Sequence, residues 1–343
     1  MKITEYDFHL PERLIANQPI SDRAASRMLL VDRGNAVFSD KAFSEITEIL
    51  GGSDTVVINN TRVFPARLLG ETETGAKVEI FLIRQIEGNV WQSLAKPARR
   101  LKVGRNILFG SEISGMVEGK NQDGTILVKF TFKGNFFEIL ERIGKTPLPP
   151  YIKREAEMEE LDRERYQTVY AKQRGAIAAP TAGLHFTNEI LEKLKNKGTE
   201  IVEITLHVGY GTFEPVRVQD IEKHSVKAEQ YSISVDAAER LNQARKTGRR
   251  IIAIGTTSTR ALETNISRFG EFRAEEGLAD ITILPGYEFK AVGGLLTNFH
   301  LPKSSLILLV SAFAGRELIM KAYEHAIKQE YRFYSYGDCM LIL

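Results

Sequence analysis

A single cysteine, Cys339, is all the thiol chemistry this 343-residue chain has. One thiol excludes an internal disulfide framework and any cysteine-based metal cluster within the chain. No His-x-x-x-His or His-Glu-x-x-His spacing occurs, so no zinc or other metal site is expected. The Gly-x-Ser-x-Gly elbow of many serine hydrolases is missing too. The most apolar run, Leu306 to Ala314, is too short to cross a bilayer, so no membrane partner is expected. Lys and Arg number 46 against 44 Asp and Glu, a net charge of +2, so no global basic field announces nucleic acid. The first eight residues, Met1 to Phe8, lack the apolar core of a signal peptide. A reducing, cytoplasmic setting is therefore the expectation.

What is present is an ordinary globular composition, long enough for a large core and two domains. A helical period over 41–50 ends at Gly51-Gly52, and Thr55 to Ile58 reads as a buried strand. After Pro65 the texture changes. Short β-rich runs at 77–84, 90–95, 105–109, 113–117 and 125–132 are separated by turn residues, which predicts a small antiparallel barrel. A helical segment at 136–143 ends before Pro147-Leu-Pro-Pro150. Beyond it, strands are predicted at 200–206, 250–254 and 280–284, and helices at 187–194, 236–246, 258–266, 304–314 and 316–329. The charge-dense run 155–165 reads as a solvated helix or loop. The expected fold is a mixed α/β main domain (1–65 and 147–343) with the barrel domain inserted at 66–146.

Three histidines stand among Gly, Thr and Asn at element boundaries. His185 lies in Pro180-Thr-Ala-Gly-Leu-His-Phe-Thr187, His207 in Thr205-Leu-His-Val-Gly-Tyr-Gly-Thr-Phe213 and His300 in Leu296-Thr-Asn-Phe-His-Leu-Pro302. Imidazoles suit proton transfer near neutral pH. A lone histidine is also often a structural residue, and the two readings stand side by side. Gly255-Thr-Thr-Ser-Thr-Arg260 follows an apolar strand and opens a helix, where backbone amides favour anions and polar ligand groups. It lacks the Gly-x-Gly-x-x-Gly fingerprint and the Gly-Lys-Thr ending of nucleotide loops, so an ordinary capped helix remains the alternative. Five cations within Lys96–Arg105, with Trp91 upstream, could follow a phosphate backbone and stack a base, or form a solvated hairpin.

Taken together, these stretches closely resemble one family, the S-adenosylmethionine:tRNA ribosyltransferase-isomerases of queuosine biosynthesis. Further matching stretches are Asp7-Phe-His-Leu-Pro11, Asn59-Asn-Thr-Arg-Val-Phe-Pro-Ala-Arg67, Lys96-Pro-Ala-Arg-Arg100, Pro147-Leu-Pro-Pro-Tyr-Ile152, Arg165-Tyr-Gln-Thr-Val-Tyr170, Leu284-Pro-Gly-Tyr-Glu-Phe289 and Tyr334-Ser-Tyr-Gly-Asp338. The resemblance spans the chain. It implies a monomer whose α/β domain carries an inserted six-stranded antiparallel β-barrel. It also implies transfer and isomerisation of the ribosyl group of S-adenosylmethionine onto 7-aminomethyl-7-deazaguanine at the tRNA wobble position. Epoxyqueuosine-tRNA forms, and adenine and methionine are released.

No cofactor is implied, since S-adenosylmethionine is consumed as ribosyl donor, and the macromolecular partner is the anticodon stem-loop. For that chemistry His185, His207 and His300 are the proton-transfer candidates, with roles unassigned. Thr181, Gly183, Gly209, Gly211, Thr212, Thr256, Thr257 and Asn298 are candidates for holding the ligand. Arg260 is a candidate carboxylate partner, and Arg99, Arg100 and Lys102 are candidates for gripping RNA. Two other classes stay open on residue chemistry: a non-catalytic RNA-binding protein, and an S-adenosylmethionine-dependent RNA methyltransferase. The second lacks the Gly-rich loop and acidic ribose partner of common α/β methyltransferases.

Overall fold

The computed structural model describes residues 1–149, 151–152, 159–209, 211 and 216–343. They divide into two units: Met1–Thr61 with Gln167–Gln173 and Ala179–Leu343, and Arg62–Tyr166 with Arg174–Ala178. The segment expected as an insertion, 66–146, lies within the second unit.

The first unit is organised by a nine-stranded mixed sheet. Its strands are β1 (Arg27–Asp32), β2 (Val37–Ala42), β3 (Asp54–Asn59), β12 (Glu200–Leu206), β13 (Glu229–Ile233), β14 (Arg250–Ile254), β15 (Glu275–Ala279), β16 (Gly294–Asn298) and β17 (Cys339–Ile342). The order across the sheet is β15-β13-β12-β3-β14-β16-β17-β1-β2. Four neighbours in the middle, β12, β3, β14 and β16, run parallel, so their C-terminal ends lie in a row. β3 is buried at every position, with apolar Val56–Ile58 at its middle and the buried polar residues Asp54, Thr55 and Asn59 toward its ends, as a strand covered on both faces. Among the described residues, no helix is long and apolar enough to cross a membrane.

Several helices follow the sequence periodicity. α4 (Asn188–Asn196) is capped by Thr187, whose side chain accepts from the Ile190 amide, and Gly198 at φ 84° ends it. α5 (Val235–Lys246) starts at the Ser234 cap. α7 (Ser305–Ala314) starts at Ser304, and its buried face is apolar apart from Ser311. α8 (Arg316–Lys328) follows after Gly315.

Three expectations need correction. The helix over 41–50 shrinks to α1 (Ile46–Ile49), because Lys41 and Ala42 pair with Met28 and Arg27 at the end of β2. Ile46 and Leu50 still face the core. The strand expected at 280–284 lies instead at β15, where Glu275 to Ala279 pair with β13. Residues after it serve side chains: the Ile281 carbonyl accepts from Arg260 and the Thr282 hydroxyl from the Val226 amide. The helix expected from Ser258 begins earlier, as α6 (Gly255–Phe269).

The second unit is a closed six-stranded antiparallel barrel of β5 (Arg67–Thr72), β6 (Lys77–Glu87), β7 (Val90–Lys96), β8 (Asn106–Phe109), β9 (Ile113–Lys120) and β10 (Ile126–Phe132), in the order β10-β7-β6-β5-β8-β9. The period-2 pattern of these runs carries alternate residues inward, as in β5 and β9. The short strands β4 (Thr61–Val63) and β11 (Gln173–Ala176) pair with each other. α2 (Phe136–Ile143) is capped by Asn135, and α3 (Glu159–Arg165) carries the described part of the charge-dense run. Trp91 is no base-stacking surface. It is 4% exposed and packs in an aromatic cluster with Phe64, Phe136 and Phe137, the ring of Phe136 stacked on it at 5.4 Å. On β7, inward positions alternate with outward ones, and Trp91 falls on the inward set.

A candidate active site at the strand ends

In sheets of this kind ligands bind beyond the carboxyl ends of parallel strands, where chain continuations diverge to either side. Here β3 has parallel partners on both sides. Just past those ends lies a crevice lined by Pro180, Thr181, Val208, Gly255, Thr256, Thr257, Asn298, His300 and Tyr334, among others. Counted together with its open mouth, the space between these residues is about 500 Å³.

Asn59, the last residue of β3, is fully buried and joins the pieces. Its Oδ1 accepts from the amides of Thr61 (3.1 Å) and Leu206 (3.0 Å). Its Nδ2 donates to the Leu206 carbonyl (2.9 Å) and reaches the Thr257 hydroxyl (3.4 Å). All four hydrogen-bonding capacities of the amide are used, so β3, the end of β12 and the start of α6 are held together by one side chain. Gly255, the first residue of α6 and directly after β14, has φ 90°, a conformation open to glycine at little cost.

The three histidines fall into different environments. His185 ends a short 3-10 turn at Thr181–His185 and is 4% exposed. Its Nε2 meets Asn298 Oδ1 at 3.1 Å and its Nδ1 meets Ser26 Oγ at 2.8 Å. Asn298 Nδ2 donates to the carbonyls of Tyr334 and Ser335, so its oxygen faces the imidazole. The His185 proton therefore sits on Nε2, assigned from this network. Burial holds the pKa down at about 4, so the ring is neutral and Nδ1 accepts from Ser26. Both ring nitrogens are occupied.

His300 lines the crevice and is 5% exposed. Its Nε2 lies 2.9 Å from Thr297 Oγ1, and burial lowers its pKa to about 3. The backbone amide of His300 donates to the Tyr323 hydroxyl at 3.0 Å, which fixes the turn. Its Nδ1 makes no hydrogen bond among the described residues. His207 follows the end of β12, with Nδ1 2.8 Å from Thr61 Oγ1 and its pKa lowered by partial burial. Its Nε2 likewise makes no hydrogen bond among the described residues.

Of the ligand-holding candidates, Thr181, Thr256, Thr257 and Asn298 line the crevice. Gly183 does not. A Cβ there would lie 2.0 Å from the Tyr170 hydroxyl, so its smallness serves packing. Gly209 gives its amide to Glu229 Oε1 at 2.8 Å, and Gly211 lines an adjoining chamber. Thr212 lies outside the described residues.

Arg260 is not positioned as an open carboxylate clamp. It is buried and paired with Glu229, and it also donates to the carbonyls of Ile281 (3.1 Å), Lys227 (3.1 Å) and Ala279 (2.7 Å). Four of its five N–H groups are thus engaged by the protein's own acceptors. Arg99, Arg100 and Lys102 belong to the barrel unit, exposed around the 3-10 turn Ala98–Arg100, and are not among the residues lining this crevice. Buried Leu101 anchors that loop.

Asn59, Thr297 and Glu229 are the site residues that residue-type reasoning missed. Asn59 and Thr297 stood inside quoted stretches, one in Asn59-Asn-Thr and one beside His300. Glu229 had no local signal, because its importance comes from Arg260 and Gly209, both far along the chain.

Comparison with known proteins gives a consistent result. The family model described as "Queuosine biosynthesis protein" matches residues 3–342. A curated relative from Desulfitobacterium hafniense, named S-adenosylmethionine:tRNA ribosyltransferase-isomerase, is 50% identical over the whole of both chains. A crystal structure of S-adenosylmethionine tRNA ribosyltransferase from Thermotoga maritima is 35% identical. It matches with a TM-score of 0.56, over 99% of this chain and 100% of that one.

The buried imidazoles generate a pH prediction. An unfolded histidine titrates near 6.5, whereas folded His185 and His300 titrate at about 4 and about 3. Between those values the unfolded chain binds more protons, so stability falls as the solution is acidified below about pH 6.5. Each such histidine adds up to about 1.4 kcal/mol per pH unit to that slope. Urea unfolding at pH 6.5, 6.0, 5.5 and 5.0 measures it. The variant His300→Gln is expected to show a shallower slope by about one proton, and an unchanged slope contradicts the buried, neutral assignment.

Proposed function

This chain belongs to the queuosine biosynthesis protein family, and on that premise we propose that the crevice at the strand ends is its ribosyl-transfer site. The activity is that of an S-adenosylmethionine:tRNA ribosyltransferase-isomerase, with S-adenosylmethionine and tRNA as substrates. In the finer reading, the acceptor is 7-aminomethyl-7-deazaguanine at the wobble position of an anticodon stem-loop, and the product is epoxyqueuosine. Adenine and methionine leave. The enzyme works as a cytoplasmic monomer and needs no cofactor, because the donor is itself consumed.

The observation that supports this placement is a row of strand ends where hydroxyls, a helix N-terminus and an imidazole with an unbonded ring nitrogen line one crevice. The reaction asks for such groups. A sulfonium acidifies the adjoining ribose C5′ hydrogens, which a positioned base can remove. Departure of adenine is helped by a proton donor near the purine. The acceptor amine must lose a proton to attack, and methionine departs as the three-membered ring closes.

His300 and His207 each keep an unbonded nitrogen at or beside the strand ends, and we assign proton transfer to them. His185, with both nitrogens engaged, is a positioning residue that orients Asn298. A general acid or base is worth roughly 10²–10⁴ in rate. His300→Ala and His207→Ala are therefore expected to lower turnover by about that factor while circular dichroism stays native. Turnover is read as adenine and methionine released in equal amounts from S-adenosylmethionine and tRNA bearing the aminomethyl base. S-adenosylhomocysteine as the main product contradicts the function. Near-wild-type turnover in both folded variants contradicts the histidine assignment.

The barrel's exposed loop supplies the RNA grip. Arg99, Arg100 and Lys102 form no ion pair among the described residues, so their charge faces solvent. Each phosphate that the protein no longer neutralises flattens the log–log dependence of affinity on salt by roughly 0.7–0.9. The double variant Arg99→Ala/Arg100→Ala is expected to bind tRNA more weakly with a shallower salt dependence, while S-adenosylmethionine binding is unchanged. Titrations of both ligands at several salt concentrations measure this. Unchanged tRNA affinity and slope would remove the loop from the RNA site.

A further inference from the structure

Next to the crevice lies a second chamber that shares Thr256, Thr257 and Leu306 with it. Glu229, Arg260 and Ser305 belong to its other walls. Two features make it unusual as a packing defect. The first is charge: Glu229 and Arg260 form an ion pair with side chains only 5% and 6% exposed. The pair as a whole is neutral, yet it presents a carboxylate and a guanidinium to one small space. The second is an unfinished helix start. α6 is 15 residues long, and Ile254 at its cap position offers no side chain to the first-turn amides. Thr256, in that first turn, is 7% exposed, lines both chambers, and its hydroxyl makes no hydrogen bond among the described residues. A buried hydroxyl and open amides at a helix N-terminus together call for an anionic acceptor.

We propose that the amino-acid end of S-adenosylmethionine spans these two chambers, its carboxylate on the N-terminus of α6 and the Thr256 hydroxyl, its ammonium on Glu229. The assignment rests on the functional reading above and goes beyond it. It also reverses the expectation from sequence that Arg260 takes the carboxylate. Arg260 is spent on Glu229 and on the carbonyls of Ile281, Lys227 and Ala279, so it holds Glu229 in place. Glu229 in turn fixes the Gly209 amide, which ties the ligand's ammonium to the loop that carries His207. An RNA phosphate would also suit a helix N-terminus. It brings no cation for Glu229, however. A zwitterion meets opposite charge at both ends.

The test compares three ligands: S-adenosylmethionine, its decarboxylated form, and the analogue that keeps the carboxylate but lacks the α-amino group. Dissociation constants are measured by calorimetry for wild type, Thr256→Ala and Glu229→Gln. Loss of either charged group from the ligand is expected to weaken wild-type binding by roughly 10–100-fold, the usual worth of a hydrogen bond to a charged group. Thr256→Ala should weaken S-adenosylmethionine but not the decarboxylated ligand. Glu229→Gln should weaken S-adenosylmethionine but not the ligand lacking its amine. A purely structural role would weaken all three ligands by one common factor, and that result overturns the proposal. If Glu229→Gln does not fold, the wild-type series and Thr256→Ala decide the matter. Wild-type protein that releases no adenine from S-adenosylmethionine and tRNA overturns the functional reading and the subsite with it. Equal affinity for the three ligands in a protein that does turn over overturns the subsite alone.

Discussion

The amide of Asn59 is the constraint on which the site depends. Its four hydrogen bonds fasten the end of β3 to both backbone groups of Leu206, to Thr61 and to the first turn of α6. Without them, two parallel strands and a helix start would meet at a point where neither ladder nor helix satisfies the backbone. A buried amide with a missing partner costs about 1–3 kcal/mol, so this junction is stable only when complete. Completeness is what makes it rigid. His207, the Gly255 turn and Thr257 inherit their positions from it, and a preorganised crevice follows from a saturated polar centre.

A similar division of labour recurs one layer out. Asn298, at the end of β16, carries two backbone carbonyls on its nitrogen and His185 on its oxygen. Glu229, at the start of β13, carries Arg260 on one oxygen and the Gly209 amide on the other. In each case a buried polar side chain ends or begins a strand and holds a loop beyond it. Buried groups of this kind are costly unless every atom is partnered. The main sheet therefore does more than bury apolar area: its ends are a network that fixes where ligand-facing groups stand.

Much of the fold was legible because periodicity and turn residues are local. Five of the six barrel strands, α4 with its Thr187 cap and the apolar α7 follow from spacing within a dozen residues, while β5 was not read from it. β1, β2, β13, β16 and β17 were not legible, because their pairing partners come from distant parts of the chain. β17 illustrates the point. Its four residues pair with β16 on one side and β1 on the other, and nothing in Cys339-Met-Leu-Ile342 names those neighbours. The site was legible in the same uneven way. His300, Thr256 and Thr257 carry local marks of an element end. Arg260 carries the same marks, but a Glu at position 229 turns it into a structural ion pair. Trp91 looked available to a nucleobase until strand alternation put it inside the barrel.

The central claim is that the donor binds at the ends of β3, β12, β14 and β16. Hydrogen–deuterium exchange with and without S-adenosylmethionine, in the absence of tRNA, tests it most directly. Ligand in that crevice should slow exchange of amides in 205–209, 254–258 and 296–300, while barrel peptides within 77–96 and 113–132 exchange as before. Protection confined to the barrel, with the strand-end amides unchanged, would contradict the account.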